Sequence, residues 1–182
     1  MHPHLDAALS RLDESRAALR AAVEAVPAPL RARKPAPDRW SVAEVLEHLA
    51  LVERRYLAQL PEPISAARQA GLGPETGPRS ALPAEIGAML ADRTSRRPAP
   101  EIVVPSGTLD AAAAMASAEA VRDEFRSMMA ALDGLSLGNV IYAHHRFGPL
   151  NLYQWVEFIA AHESRHVQQV REVAAQLAPP AE

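Results

Sequence analysis

The sequence predicts an all-α chain folded as a four-helix bundle, with a long crossover between the second and third long helices. Three observations carry this reading. Apolar residues make up 48% of the 182 residues but aromatics only 4%, so strand-forming aromatic residues are sparse beside Ala and Leu. Prolines break helix interiors, and here they cluster at 27–37, 61–83 and 98–105, with others at 3, 149 and 179–180. The long proline-free intervals between them show apolar residues at helical spacing. A chain of this length is expected to form one domain, 1–182, large enough for a substantial core.

The first helix should run from about His4 to Val26, with Leu5, Leu9, Leu12, Leu19, Val23 and Val26 on its apolar face and Pro27 and Pro29 ending it. Residues 35–40 read as an extended connector. Ser41-Val42-Ala43-Glu44 reads as a capping box that opens the second helix. Val42, Val45, Leu46, Leu49, Val52, Tyr56 and Leu60 supply that helix's apolar face. The Pro- and Gly-rich stretch 61–83 reads as a long loop, and 84–93 as a short helix. The following crossover carries the basic residues Arg93, Arg96 and Arg97, most simply a solvated surface, with contact to an anionic ligand as the second reading. A third long helix is expected over about 109–132, capped by Ser106 or Thr108 and stopped by Asp133-Gly134; Met115, Ala118, Val121, Arg122, Phe125, Met128, Met129 and Leu132 follow its spacing. Residues 135–148 read as a connector with a turn. The last helix begins near Pro149 or Asn151 and stops at Pro179-Pro180.

The charge balance excludes some functions. A net charge of -3 gives no basic footprint for nucleic acid. Without cysteine there is no disulfide framework, thiol nucleophile or thiolate metal site. The N-terminal residues lack the pattern of a signal peptide, and no stretch is apolar enough to span a bilayer, so a cytoplasmic protein with no membrane partner is expected.

The most informative stretch lies in the last helix. Trp155, Ile159, His162, His166, Val170, Val173 and Leu177 recur at alternating steps of four and three, the inward stripe of an amphipathic helix. His162 and His166 stack one turn apart on that face. Burying titratable rings without partners is costly, and a shared metal ion is one reason to do so. A metal site still needs a ligand from elsewhere. His48 stands beside the apolar stripe of the second helix, where a plain surface or core histidine is the competing reading. Of the pair His144-His145 in the connector, His144 is expected at the surface.

Trp40-Ser41-Val42-Ala43-Glu44-Val45-Leu46-Glu47-His48-Leu49 resembles the W-S-x-x-E-x-x-x-H-L segment of DinB-like proteins. Gly148-Pro149-Leu150-Asn151-Leu152, Trp155 and His162-Glu163-Ser164-Arg165-His166-Val167-Gln168-Gln169-Val170 resemble their C-terminal G-x-L-x-L, W and H-x-x-x-H-x-x-Q segment. The stretch from Pro100 to Gly107 is similar to a P-x-x-x-x-P-x-G element of the branch that includes YfiT-like hydrolases and thiol transferases. The resemblance implies a four-helix bundle and a divalent metal, zinc or nickel, on His48, His162 and His166, with nitrogens roughly 3–4 Å apart. Gln169 and Glu163 are then candidates to orient a ligand ring through its other nitrogen, although Glu163 also reads as a solvated neighbour. His145 is a candidate pocket residue near the mouth of the site.

The activity that the resemblance implies is conjugation of a low-molecular-weight thiol to an electrophilic substrate. Hydrolysis by metal-activated water, and a stress-associated protein with a structural metal, stand as alternatives. Relatives of this kind often pair, so a homodimer is expected, with the apolar face of the first helix as the candidate surface.

Overall fold

The computed structural model describes residues 1–78, 81–94 and 98–178. Arg96, Arg97 and the Pro179-Pro180 stop lie outside the described residues. Four long helices form the bundle: α1 (Pro3–Glu24), α2 (Val42–Gln59), α5 (Ala111–Ala130) and α6 (Leu152–Leu177). Between α2 and α5 the crossover carries two short helices, α3 (Pro61–Gln69) and α4 (Ala84–Ala91), and a 3-10 turn, Glu101–Val103. Between α5 and α6 lies an antiparallel hairpin of β1 (Ile141–His144) and β2 (Gly148–Asn151), pairing Ile141 with Asn151 and His144 with Gly148.

The core explains the length of the crossover. One apolar cluster gathers Leu5 to Leu12 of α1, the C-terminal half of α2, Phe125 and Met129 of α5, and Trp155 to Ala160 of α6. The other gathers Leu19 to Val26, Val42 to Leu49, Ala114 and Val167 to Val173. Thus α1 and α6 run in one direction and α2 and α5 in the other. Two consecutive long helices that run the same way need a return path of the helix's own length, about 30 Å for 20 residues. The crossover provides it. Packing pairs α1 with α6 and α2 with α5.

Several local expectations are revised. The 61–83 loop contains α3, because Pro61 and Pro63 fall in a first helical turn, where their missing N–H groups cost nothing, and Ile64 anchors it in the core. The cap of α5 is Asp110, whose side chain accepts from Ala113 N–H; Ser106 and Thr108 bind each other instead. Of the two starts the sequence offers for α6, Asn151 is the cap, in a capping box with Gln154. The 135–148 connector contains β1. Pro149, without an N–H, sits in a two-stranded sheet whose strands are both edges.

The apolar face of α1 is not available to a second copy of the chain. Leu5, Leu9, Leu12, Leu19, Val23 and Val26 are all buried within the bundle, which needs that face for its own core. Among the described residues, no helix is long and apolar enough to cross a membrane.

At the join between the two apolar clusters, each bundle helix contributes one buried charge. Arg16 of α1 donates to Glu163 of α6 at 2.7 Å, and Arg122 of α5 donates to Glu53 of α2 at 2.6 Å. Arg16 also reaches Glu53, and Arg122 reaches Glu163 and the Leu12 carbonyl. Ser15 donates to the Glu163 carboxylate at 2.5 Å. Glu163, 1% exposed, is therefore neither a solvated neighbour nor a partner of a histidine ring. It faces the bundle axis, one helical step away from the His162–His166 face.

Candidate metal centre

His48, His162 and His166 converge. One ring nitrogen from each lies within 4.8 Å of the others, and the Nε2 atoms of His162 and His166 are 3.2 Å apart. The spread is slightly wider than the 3–4 Å expected. His48 is buried in the contact of α2 with α6, and Trp40 packs on its ring with centroids 4.8 Å apart. The pair on α6 does not face the bundle axis, as the stripe suggests, but a cavity roofed by the crossover; His162 is half-buried at its wall.

Two of the rings are held in a definite tautomer. His48 Nδ1 lies 2.7 Å from the Val103 carbonyl, which can only accept, so Nδ1 carries the proton and the Nε2 lone pair is left for an ion. His166 Nδ1 is 2.9 Å from Gln169 Oε1, so the amide oxygen does the same for this ring, as the sequence suggested for Gln169. All three rings are held neutral, chiefly because burial disfavours the charged form. His48 and His166 are lowered, and His162 is pushed down to about 3, with His48 nearby as a further cause. Three neutral imidazoles with lone pairs directed together suit a divalent ion of borderline character.

The crossover segment 100–107 aims His48. Its 3-10 turn presents the Val103 carbonyl, and Glu47 holds the segment by accepting from Ser106 N–H at 2.9 Å, Ser106 Oγ at 2.7 Å and Gly107 N–H at 3.1 Å. Gly107 has φ +72, and a Cβ there would stand 3.2 Å from Glu44 Oε1. The motif around residues 40–49 thus works as a unit: Ser41 and Glu44 form the capping box of α2, Glu47 grips the crossover, and His48 receives its orientation from it.

The cavity measures about 1000 Å³, at the upper end of small-molecule sites. Val52, Phe147 and Phe158 give it an apolar wall, and Arg39, Arg55, Arg93, Arg146 and Arg165 a cationic one. Arg93 is not simply solvated: it makes a two-pronged contact with Glu172. Arg165 donates to the Leu90 carbonyl at 3.0 Å and to that of Asp92, clamping α4 against α6. His145 lines the cavity from an exposed position. His144 is not at the surface: it is 5% exposed, packed on Trp155, Phe147 and Phe158, with Nε2 3.1 Å from the Tyr56 hydroxyl. Burial holds its ring neutral, down to about 4. The hairpin explains the error, since inward residues alternate along a strand and His144 takes an inward place.

Tyr56 and Arg55 were not singled out as site residues by sequence. The signal was present, because Val52, Arg55 and Tyr56 follow His48 at four, seven and eight residues and so share its side of α2.

Comparison with known proteins agrees with this architecture. YuaE of Bacillus subtilis (strain 168), an uncharacterized protein, is 26% identical over 146 residues, 80% of this chain and 83% of YuaE. The solved structure of YfiT from Bacillus subtilis, described as a probable metal-dependent hydrolase with an unusual four-helix bundle topology, aligns with a TM-score of 0.60 over 97% of this chain and 89% of its own. At 15% identity that likeness speaks for the fold alone. The DinB superfamily pattern matches residues 11–170, from within α1 to the last turns of α6 and across all three converging histidines. The chain therefore belongs to the DinB superfamily.

Proposed function

We propose that this chain is a divalent-metal-dependent enzyme that joins a low-molecular-weight thiol to an electrophile, with His48, His162 and His166 as the metal ligands. The observation that carries it is the convergence of three neutral imidazoles, two with fixed tautomers, at a cavity large enough for two small reactants. Zinc or nickel suits the all-nitrogen donor set. A divalent ion held there supplies a Lewis-acidic position that lowers the pKa of a thiol or a water. The chain's own residues supply the rest. Val103 and Gln169 keep two rings oriented. The Phe147 and Phe158 side chains shield one wall from water, and the arginines attract anionic groups. The chain has no cysteine, so a sulfur nucleophile must come from a cosubstrate.

A second reading, hydrolysis by metal-activated water, draws support from the description of YfiT. One experiment separates the two. The purified protein is loaded with zinc or nickel and offered an aryl halide with and without glutathione, and a nitrophenyl ester without thiol. Metal-dependent conjugation supports the transferase. Ester hydrolysis alone supports the hydrolase. Metal binding with neither activity, and a loss of folding without metal, would leave the ion a structural role and refute both.

A further inference from the structure

Beside the histidines, the part of the cavity built by α2 and the hairpin holds a hydroxyl proton with no acceptor among the described residues. The proton count starts at His144. Its Nδ1 accepts from the backbone N–H groups of Arg146 at 3.0 Å and Phe147 at 3.3 Å, so Nδ1 carries a lone pair and the ring proton sits on Nε2. That Nε2–H points at the Tyr56 oxygen, 3.1 Å away, and donates to it. The Tyr56 hydroxyl proton is then directed elsewhere, and no group among the described residues accepts it. Tyr56 is 8% exposed and lines the cavity, so the missing acceptor is one that a ligand would bring.

Two guanidinium groups line the same cavity as this hydroxyl. Arg55, half-buried and next to Tyr56 in sequence, acts electrostatically on the phenol; Arg146, exposed at the hairpin turn, acts on His144. Neither has a carboxylate partner among the described residues. The other arginines of the cavity differ. Arg93 is committed to Glu172, Arg165 to two carbonyls, and Arg39 stands within electrostatic reach of Glu172. The chain as a whole carries a net charge of -3, so an unanswered positive patch is not its background state.

We propose that Tyr56, Arg55 and Arg146 form an oxyanion site that holds a carboxylate or phosphate group of a small-molecule ligand. The proposal rests on the reading of this cavity as the substrate site and narrows the substrate class to anions. Tyr56 donates its hydroxyl proton to one oxygen while the guanidiniums answer the charge, and His144, donating to Tyr56 from behind, fixes the direction of that hydroxyl.

The test uses metal-free protein, so that an anion cannot bind a metal instead. Malonate, inorganic phosphate and neutral glycerol are titrated by calorimetry and by nitrogen NMR of the arginine side chains. Saturable binding of malonate or phosphate, but not glycerol, is expected, and the better of the two names the group. Arg55→Gln, Arg146→Gln and Tyr56→Phe should each weaken it about tenfold, as loss of a charge-assisted hydrogen bond does. Arg20→Gln, on the far surface, should not. Arg55 and Arg146 lie outside the core, so their variants remain informative where Tyr56→Phe fails to fold. Absence of saturable anion binding, or affinity unchanged in both arginine variants, would overturn the site. So would a His144 Nδ1 that resonates as a protonated nitrogen. Zinc titration of the same samples keeps the two readings apart. Zinc bound without anion binding refutes only the oxyanion site, and anion bound without zinc refutes only the metal-dependent enzyme.

Discussion

His48 donates from Nδ1 to the carbonyl of Val103 at 2.7 Å, so a ring on α2 takes its aim from a loop more than fifty residues away. The loop in turn is held by Glu47, the residue just before His48. Removing that grip should loosen the metal without touching a ligand. Glu47→Gln is expected to lower metal affinity about tenfold, the scale typical of groups that orient a ligand ring. Gly107→Ala should do likewise, since its positive φ and the nearby Glu44 oxygen both resist a Cβ. Competition against a chelator of known affinity reads both; unchanged affinity in the two variants would separate the crossover from the site.

The three rings themselves make a larger prediction. Purified protein should hold about one divalent ion per chain, and His162→Ala or His48→Ala should abolish tight binding, because two imidazoles are a poor site. Metal analysis after desalting is the measurement. Retention at the wild-type level in either variant contradicts the ligand set.

The buried charges at the centre of the bundle should be costly to break. Arg122→Met leaves the Glu53 carboxyl, already raised chiefly by burial, without its main partner. A loss of about 3–5 kcal/mol in urea unfolding is expected, the usual scale for one partner removed from a buried pair. A loss under about 1 kcal/mol, the scale of an exposed pair, would show that water answers the charge instead.

The neutral histidines set a pH dependence for the metal-free protein. His144 falls to about 4 and His162 to about 3, from an ordinary value of 6.5. Between those values the unfolded chain binds protons that the folded chain refuses. Stability should therefore be full above about pH 6.5 and fall as the pH drops from there toward 4. His144→Gln should flatten part of that slope. Unfolding midpoints in denaturant from pH 7.5 to 4.5 test it, and a flat profile through pH 6 would contradict the buried neutral rings.

The order and extent of the long helices were legible because proline spacing and apolar period report on single elements. Ser41 and Glu44 even announced the first turn of α2. His162 and His166 were legible as a pair, and His48 through the motif around it. What the sequence did not announce were relationships across elements. The apolar stripe of α6 put the histidines on the bundle axis, whereas Glu163 holds that place and the histidines face the crossover. The charged center was foreshadowed only by the gap between Leu12 and Leu19, which Ser15 and Arg16 fill, and by Arg122 within an apolar stripe. The hairpin was hidden by its proline and its shortness, and with it the burial of His144.

The four buried charges also constrain how this sequence can drift. Arg16, Glu53, Arg122 and Glu163 come from four different helices, and each answers two of opposite sign. A descendant that replaces one of them strands the others in a dry interior, while replacement of all four by apolar residues of matching volume removes the conflict altogether. The path between these two viable states passes through damaged intermediates. The quartet is therefore expected to be inherited or abandoned as a block, its members having separate codons but a single fate.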